Sequence, residues 1–366
     1  MDLKTFFLHF KKLHIWFLTD FLLLAAFWLF RSCRPLMNAL ADHITGPLRR
    51  AVGRLCYLTS ISIMEVLGVL LVLFALGYLV WSVVAVTRVK GQRGHRVYTA
   101  ALGAVCIALT ICVGFCLLWG VNYWTDSFQD KSGIYAQPVA LDDLRAVTER
   151  FADELIQAAD AVQRDGNGLF AVPREEILAY SPQVYDQVEA QFPFLAFDDP
   201  GVKAMRFSRL MSMMDFTGFY CPYTGESNVN VDSPACLLPS TIAHELAHQR
   251  GFASEQECNF LAVLASTASG QPAYVYAGLL MGYIHLGNAL YSKDPDAYWA
   301  IRDSLPENVR ADLSYNNAYW AQFRDTVVQR ASNKIYDGIL KSYGDERGIQ
   351  SYGTVVDLLV AYYGSF

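Results

Sequence analysis

Three apolar stretches in the first third of the chain constrain its fold more than any other feature. They cover about residues 14–32, 61–85 and 98–119, and each approaches the roughly 20 residues that a helix needs to cross a bilayer. No small-residue cleavage site follows the first stretch, which indicates a retained anchor rather than a removed signal peptide. The sequence therefore predicts a membrane domain with three spans in residues 1–125 and a soluble domain in residues 126–366.

Charge is divided unevenly along the chain. Residues 1–120 carry 12 Lys and Arg against 4 Asp and Glu, whereas residues 121–366 carry 17 against 31. No basic stripe lies outside the loops that flank the spans, so we expect the lipid bilayer as a partner and no nucleic acid. Basic segments favour the cytoplasmic side, and the N-terminus and residues 88–96 satisfy this rule if the soluble domain is extracytoplasmic. The five arginines of residues 31–54 oppose that orientation, which we still favour for a multi-pass protein of the cell membrane.

The second strong feature is an H-E-x-x-H motif formed by His244, Glu245 and His248. Positions four apart lie on the same face of a helix, so both imidazoles can bind one zinc ion while the intervening glutamate activates a water molecule. The flanking residues predict such a helix, because Pro239 is tolerated in a first turn and Gly251 is typical of the position after a last turn. We therefore predict His244 and His248 as zinc ligands and Glu245 as the catalytic base.

A catalytic zinc site needs a third protein ligand, and the next helix offers candidates. That helix is predicted to begin at Ser254, because Ser254 and Glu257 match the S-x-x-E capping box. This structural task for Glu257 favours Glu255 as the third ligand, with Glu257 as the alternative. Asn259 lies one turn after Glu255 and is predicted to orient a ligating histidine from outside the metal's own ligand set. Cys258 is ranked last as a ligand because it points to another side of the helix.

The segment before the motif differs from the helical remainder of the domain. Residues 216–232 contain glycine, proline and alternating valines without a helical period, so we expect a loop with one or two short strands. Such a strand either pairs with an extended substrate backbone or only connects the helices. Glu226 is a candidate contact to zinc or to a substrate amine, or else a solvated loop acid. Cys221 and Cys236 form a disulfide only if the domain faces an oxidising space.

Three further segments complete the predicted domain. Residues 272–291 are uncharged and about 20 residues long, but their glycines and the lack of flanking positive charge favour a buried core helix over a fourth span. His285 in this helix is either a core histidine or a donor to an oxyanion. Residues 315–343 carry a long amphipathic pattern, and residues 352–363 predict a terminal helix that packs on the core.

The order of these features resembles an uncharacterised bacterial membrane family, the domain of unknown function 3810. The resemblance covers nearly the whole chain and rests on the three apolar spans and on the segments LLWGVNY, GFYCPYTGESNVN, PSTIAHELAHQRGFASEQECNF and SYGTVVDLLVAYY. Members of this family look like membrane-anchored zinc metallopeptidases. The spacing from Glu255 to Asn259 is also similar to the E-x-x-x-D segment of gluzincin peptidases, which implies that Glu255 binds zinc. The family likeness therefore implies a mainly α fold, in which three transmembrane helices precede a zincin-like domain with a short strand beside the H-E-x-x-H helix.

Together these features predict a membrane-anchored zinc metallopeptidase that acts on a peptide or protein substrate. Glu245 accepts a proton as zinc-bound water attacks the carbonyl, and then protonates the leaving amine. The alternative is a non-catalytic, zinc-stabilised membrane sensor or binding module, which Glu245 disfavours because a structural site needs no adjacent acid. An intramembrane protease is also disfavoured, because Gln249, Arg250 and Glu255 make the surroundings of the motif polar.

Overall fold

The computed structural model describes residues 3–88, 91–198, 200–343 and 353–364. Helices account for most of these residues and strands for few, so the predicted mainly α fold is confirmed. The chain divides into two compact units. The first unit comprises Met1–Gly53, Ile63–Thr125 and Pro222–Thr224, and the second comprises Arg54–Ser62, Asp126–Cys221 and Gly225–Phe366.

Three of the first six helices are long and apolar. The six are α1 (Leu3–His9), α2 (Lys11–Phe30), α3 (Arg34–Leu40), α4 (Gly46–Cys56), α5 (Ile63–Arg88) and α6 (Arg93–Leu118). Within the described residues, α2, α5 and α6 are long and apolar enough to cross a membrane, with mean hydropathies of 1.8, 2.6 and 2.6. The predicted basic segment at residues 31–54 is helical, with a π-helical turn at Ala41–Thr45 between α3 and α4. Residues 89–90 of the other basic segment lie outside the described residues.

The remainder of the chain is also mostly helical. Its helices are α7 (Phe128–Ser132), α8 (Leu141–Ala159), α9 (Arg174–Tyr180), α10 (Asp186–Gln191), α11 (Ser208–Met213), α12 (Leu238–Gln249), α13 (Glu255–Ala268), α14 (Pro272–Lys293), α15 (Pro295–Ser304), α16 (Glu307–Ala321), α17 (Val327–Ser342) and α18 (Gly353–Tyr363). The predicted terminal helix corresponds to α18, and its expected first residue, Tyr352, lies outside the described residues.

The core of the second unit is built around α14. This helix packs against α8, α12 and α13, and its fully buried side chains include Tyr274, Tyr276 and Leu286. Gly282 allows the close approach of α8, because a Cβ atom there would lie 2.3 Å from the ring of Phe151. The prediction of a buried core helix at residues 272–291 is therefore confirmed.

The long amphipathic pattern predicted at residues 315–343 is divided between two helices. Its first part continues α16, which ends at Ala321, and its second part forms α17. The break lies at Asp325, whose φ of 59° is left-handed, and the Thr326 side chain then caps α17 by accepting from the Gln329 N–H. The amphipathic pattern thus lies on two helices, because the spacing of apolar residues does not register a single left-handed residue.

A small sheet lies beside α12. Its strands are β1 (Lys203–Ala204), β2 (Gly218–Cys221) and β3 (Glu226–Val229), in the spatial order β1-β3-β2. β1 is parallel to β3, and β2 is antiparallel to β3 with Gly218 opposite Val229. β2 and β3 are the short strands predicted within residues 216–232, whereas β1 carried no recognised signal. Both β2 and β3 pack on α12, and the Ser227 hydroxyl donates to the main-chain carbonyl of Glu245.

Candidate metal centre

The H-E-x-x-H motif lies on α12 as predicted. Pro239 is in the first turn of this helix, and Gly251 follows its end with a φ of 100°. His244 and His248 therefore lie one turn apart on one face, with their ring centroids 4.8 Å apart. The left-handed residue at Gly251 reverses the chain, so that α13 begins beside the end of α12.

The structure brings three predicted ligands together. His244 Nε2 lies 3.1 Å from Glu255 Oε2, and His248 Nε2 lies 3.4 Å from Glu255 Oε1. One ligand atom from each residue lies within 4.8 Å of the others. Tetrahedral zinc with bonds of about 2.0–2.2 Å holds its ligand atoms roughly 3.3 Å apart, and the two distances from histidine nitrogen to carboxylate oxygen are close to this value. The donor types also fit this ion.

The orientation of His248 is set by a main-chain carbonyl. His248 Nδ1 lies 2.8 Å from the Phe252 carbonyl oxygen, and because that oxygen only accepts, Nδ1 is the protonated nitrogen. Nε2 then faces Glu255, and a metal ion there would bind this nitrogen in its unprotonated form. The Cys258 thiol lies 3.3 Å from Nδ1 and 3.3 Å from the Phe252 oxygen, on the side of the ring away from Glu255. Cys258 is thus placed where it does not join the ligand atoms.

The predicted role of Asn259 in orienting a ligating histidine has no matching hydrogen bond among the described residues. Asn259 is half-buried and makes no hydrogen bond to either histidine within the described residues. The Phe252 carbonyl contacts His248 instead, because the turn at Gly251 brings the main chain to the Nδ1 edge of the ring.

The structure separates the two glutamates that compete for the third ligand position. Glu255 joins the histidines, whereas Glu257 is buried and accepts from the main-chain N–H groups of Phe128 and Gln129 at the start of α7. Ser254 does cap α13 by accepting from the Glu257 N–H, at 3.4 Å. The predicted capping box is therefore only half formed, because the Glu257 carboxylate binds α7 rather than the start of its own helix.

Glu245 points toward β2. The main-chain N–H of Tyr220 donates to its carboxylate, and a Cβ atom at Gly218 would lie 2.3 Å from Glu245 Oε1. Glu245 Oε2 is buried and has no hydrogen-bond partner within the described residues. Burial raises the pKa of Glu245 to about 6, although the two nearby histidines oppose that change. The site therefore contains a buried carboxylate with one oxygen that lacks a hydrogen bond. The pKa of this carboxylate is close to neutral pH.

The ligand set itself is strongly coupled. Burial alone lowers the pKa of His248, but Cys258 and the Glu255 carboxylate raise it well above the ordinary value. Burial alone raises the pKa of Glu255, but the imidazoles of His248 and His244 hold it well below the ordinary value. Burial raises the pKa of Cys258 to about 11, so this side chain is a thiol at neutral pH. The Glu255 carboxylate can therefore be stabilised either by a protonated histidine or by a divalent cation in the same place.

Other candidate residues lie outside the ligand set. Glu226 is fully buried and forms an ion pair with Lys203 at 2.5 Å, so it is neither a zinc contact nor a solvated loop acid. His285 is near enough to interact electrostatically with His244, and burial, followed by that interaction, lowers the pKa of His285 to about 4. Cys221 and Cys236 are both buried, and the two sulfurs are not joined in a disulfide.

Sequence reasoning missed two residues of this site. Gly218 stands inside a strand, where an isolated glycine often marks a close approach, so its sequence context contained a usable signal. Tyr336 on α17 donates its phenol hydrogen to Glu255 Oε1 at 2.6 Å. It lies 81 residues after its partner, and no local pattern indicates that contact.

The comparisons with known proteins identify a family but no activity. A family model described as a protein of unknown function, DUF3810, matches residues 43–360. Neither the curated proteins nor the solved structures contain a match to this chain.

Proposed function

We propose that this chain, which belongs to the DUF3810 family of proteins of unknown function, is a membrane-anchored zinc metallopeptidase. In this proposal His244, His248 and Glu255 hold the metal, and Glu245 is the general base. The observation that carries the proposal is the convergence of three ligand side chains next to a buried carboxylate with an unpaired oxygen. A site that only stabilised the fold would have no use for that fourth group.

The chemistry of the proposed reaction is divided between the ion and the chain. A bound zinc ion supplies Lewis acidity to a peptide carbonyl and to water. Glu245 accepts the proton of the attacking water and transfers it to the nitrogen of the leaving amine. Its raised pKa, about 6, suits a group that takes up and releases a proton near neutral pH. The Phe252 carbonyl holds the His248 ring in the tautomer that leaves Nε2 unprotonated.

The position of β2 supports binding of an extended peptide. β2 is an edge strand of the sheet, and its neighbour Thr217 is hydrogen-bonded to Asn230. In an antiparallel pair the bonded positions alternate, so the main-chain groups of Gly218 and Tyr220 point away from β3. One of them already contacts Glu245. We propose that a substrate backbone pairs along this edge, which places its carbonyl groups beside the ligand cluster.

The test compares metal content and turnover in the full chain purified in mild detergent. We expect about one zinc ion per chain in the wild type and in Glu245→Gln, and little in His244→Ala. Peptide-library cleavage followed by mass spectrometry should detect hydrolysis by the wild type. Glu245→Gln should reduce that hydrolysis by about 10²–10⁴-fold, because the base is removed while the ligands remain.

Three outcomes would contradict the proposal in different ways. Zinc bound by the wild type without cleavage of any peptide would favour the alternative, a zinc-stabilised sensor or binding module. Full activity in Glu245→Gln would show that another group is the base. A wild-type protein unable to take up zinc would refute the metal site itself.

A further inference from the structure

Within the described residues, Glu255 accepts one hydrogen bond from outside α12 and α13, and its donor lies on α17. The phenol of Tyr336 donates to Glu255 Oε1 at 2.6 Å, and its ring packs edge-on against Phe216 at a centroid distance of 5.4 Å. Oε2 of the same carboxylate faces His244 Nε2. The hydrogen bond thus restricts the rotation of the carboxylate that is the proposed third ligand.

α17 is held in place mainly by side-chain contacts. Gln329 Nε2 and Asn333 Nδ2 both donate to Asp215 Oδ2, at 3.0 and 3.1 Å. Leu340 is the one buried residue recorded along the helix, whereas Val327 and Ile335 are 75% and 66% exposed. A helix with so little buried apolar surface depends on these polar contacts for its position.

We propose that Tyr336 is a positioning residue that holds Glu255 in its metal-binding orientation, so that the metal affinity of the site depends on the position of α17. This inference rests on the proposed metal site. Glu255 begins α13 and has several rotatable bonds, so the helix alone does not orient its carboxylate. His248 is held independently of α17, because its ring is oriented by the Phe252 carbonyl. A displacement of α17 therefore acts on Glu255 and leaves His248 in place.

The experiment measures zinc affinity by competition with a chromophoric chelator, using the full chain in detergent. Tyr336→Phe removes the hydroxyl and keeps the ring that packs on Phe216. We expect zinc to bind about 10–100-fold more weakly, the usual effect of removing a partner that orients a ligand. Tyr315→Phe is the matched control, because Tyr315 lies on α16, is 50% exposed and has no hydrogen bond within the described residues. Its zinc affinity should equal that of the wild type.

A second variant loosens α17 without altering Tyr336. The double substitution Gln329→Ala/Asn333→Ala removes both donors to Asp215, and we expect a weakening of zinc binding in the same direction. Wild-type zinc affinity in Tyr336→Phe would overturn the positioning role and leave the proposed function intact. Absence of zinc binding in the wild type would overturn both. A change in Tyr336→Phe that Tyr315→Phe reproduces would also overturn the inference, because it would not depend on the contact with Glu255.

Discussion

Gly218 allows β2 to pack directly against the proposed general base. A Cβ atom at this position would lie 2.3 Å from Glu245 Oε1 and 2.5 Å from Glu245 Cγ. The same carboxylate accepts from the Tyr220 N–H, two residues further along β2. Any side chain at position 218 must therefore displace the carboxylate or separate the strand from α12.

We expect Gly218→Ala to lower peptide hydrolysis by roughly 10²-fold, because a displacement of about 1 Å at a reacting group has that effect. Overpacking should also reduce the free energy of unfolding by about 1–3 kcal/mol. Turnover and thermal unfolding measure the two effects. Gly166→Ala is the control, since a Cβ atom there meets nothing within 4 Å. Wild-type turnover in Gly218→Ala would contradict this account of β2.

At the level of elements, the start of α13 performs two tasks with two glutamates. Residues two apart on a helix point roughly 200° apart, so Glu255 and Glu257 face different neighbours. Glu255 turns back to α12 and its histidines, whereas Glu257 accepts from the first N–H groups of α7. Because the second unit resumes at Asp126, just before α7, Glu257 anchors this part of the unit to the helix that carries the ligand.

Paired substitutions at these positions separate the two tasks. Glu255→Gln should weaken zinc binding by more than the roughly 10–100-fold that loss of an orienting partner costs, because it alters a ligand. Glu257→Gln should leave zinc affinity unchanged and reduce the free energy of unfolding by about 1 kcal/mol, since it weakens charge-assisted bonds to Phe128 and Gln129. Chelator competition and thermal unfolding distinguish these results. Loss of zinc affinity in Glu257→Gln but not in Glu255→Gln would show that Glu257, rather than Glu255, is the third ligand.

At the scale of the whole molecule, the chain segments that form the second unit are relevant to membrane topology. This unit contains Arg54–Ser62 as well as the chain from Asp126 onward, apart from Pro222–Thr224. Within it, Lys203 donates to the main-chain carbonyls of Cys56 and Ile61 and forms an ion pair with Glu226. Helices α5 and α6 lie between the two segments along the chain, and a chain that crosses a bilayer twice returns to the side it left. If α5 and α6 both cross the bilayer, Arg54–Ser62 and the chain after Asp126 lie on the same side of it. This agrees with the presence of both segments in one compact unit.

We expect the second unit to be extracytoplasmic, with the connection between α5 and α6 in the cytoplasm. Short epitope tags inserted at Gly91 and at Gly166 test this, because the space around both positions is open within 4 Å. The tag at Gly166 should react with antibody in intact cells, and the tag at Gly91 only after permeabilisation. The reverse pattern would show that the arginines of residues 31–54, rather than those near residue 91, set the orientation. Equal access for both tags would contradict the two crossings.

Local patterns made much of this architecture predictable. The apolar length of α2, α5 and α6, the buried helix α14, and the cap and stop signals of α12 are properties of short stretches of chain. The structure places Glu255 rather than Glu257 with the histidines, as the sequence favoured. The capping box on which this choice was based is only half formed, because Ser254 caps Glu257 without the reciprocal bond. The amphipathic pattern did not indicate where α16 ends and α17 begins, because that break depends on the single left-handed residue Asp325.

Periodicity and spacing thus settled which side chains share one face of α12, because positions four apart on a helix meet regardless of the rest of the fold. They had no bearing on contacts between distant segments: Tyr336 with Glu255, Phe252 with His248 after the reversal at Gly251, and Gly218 against Glu245. Such contacts arise from the packing of whole elements, and their energy depends on distances that no short stretch of sequence encodes.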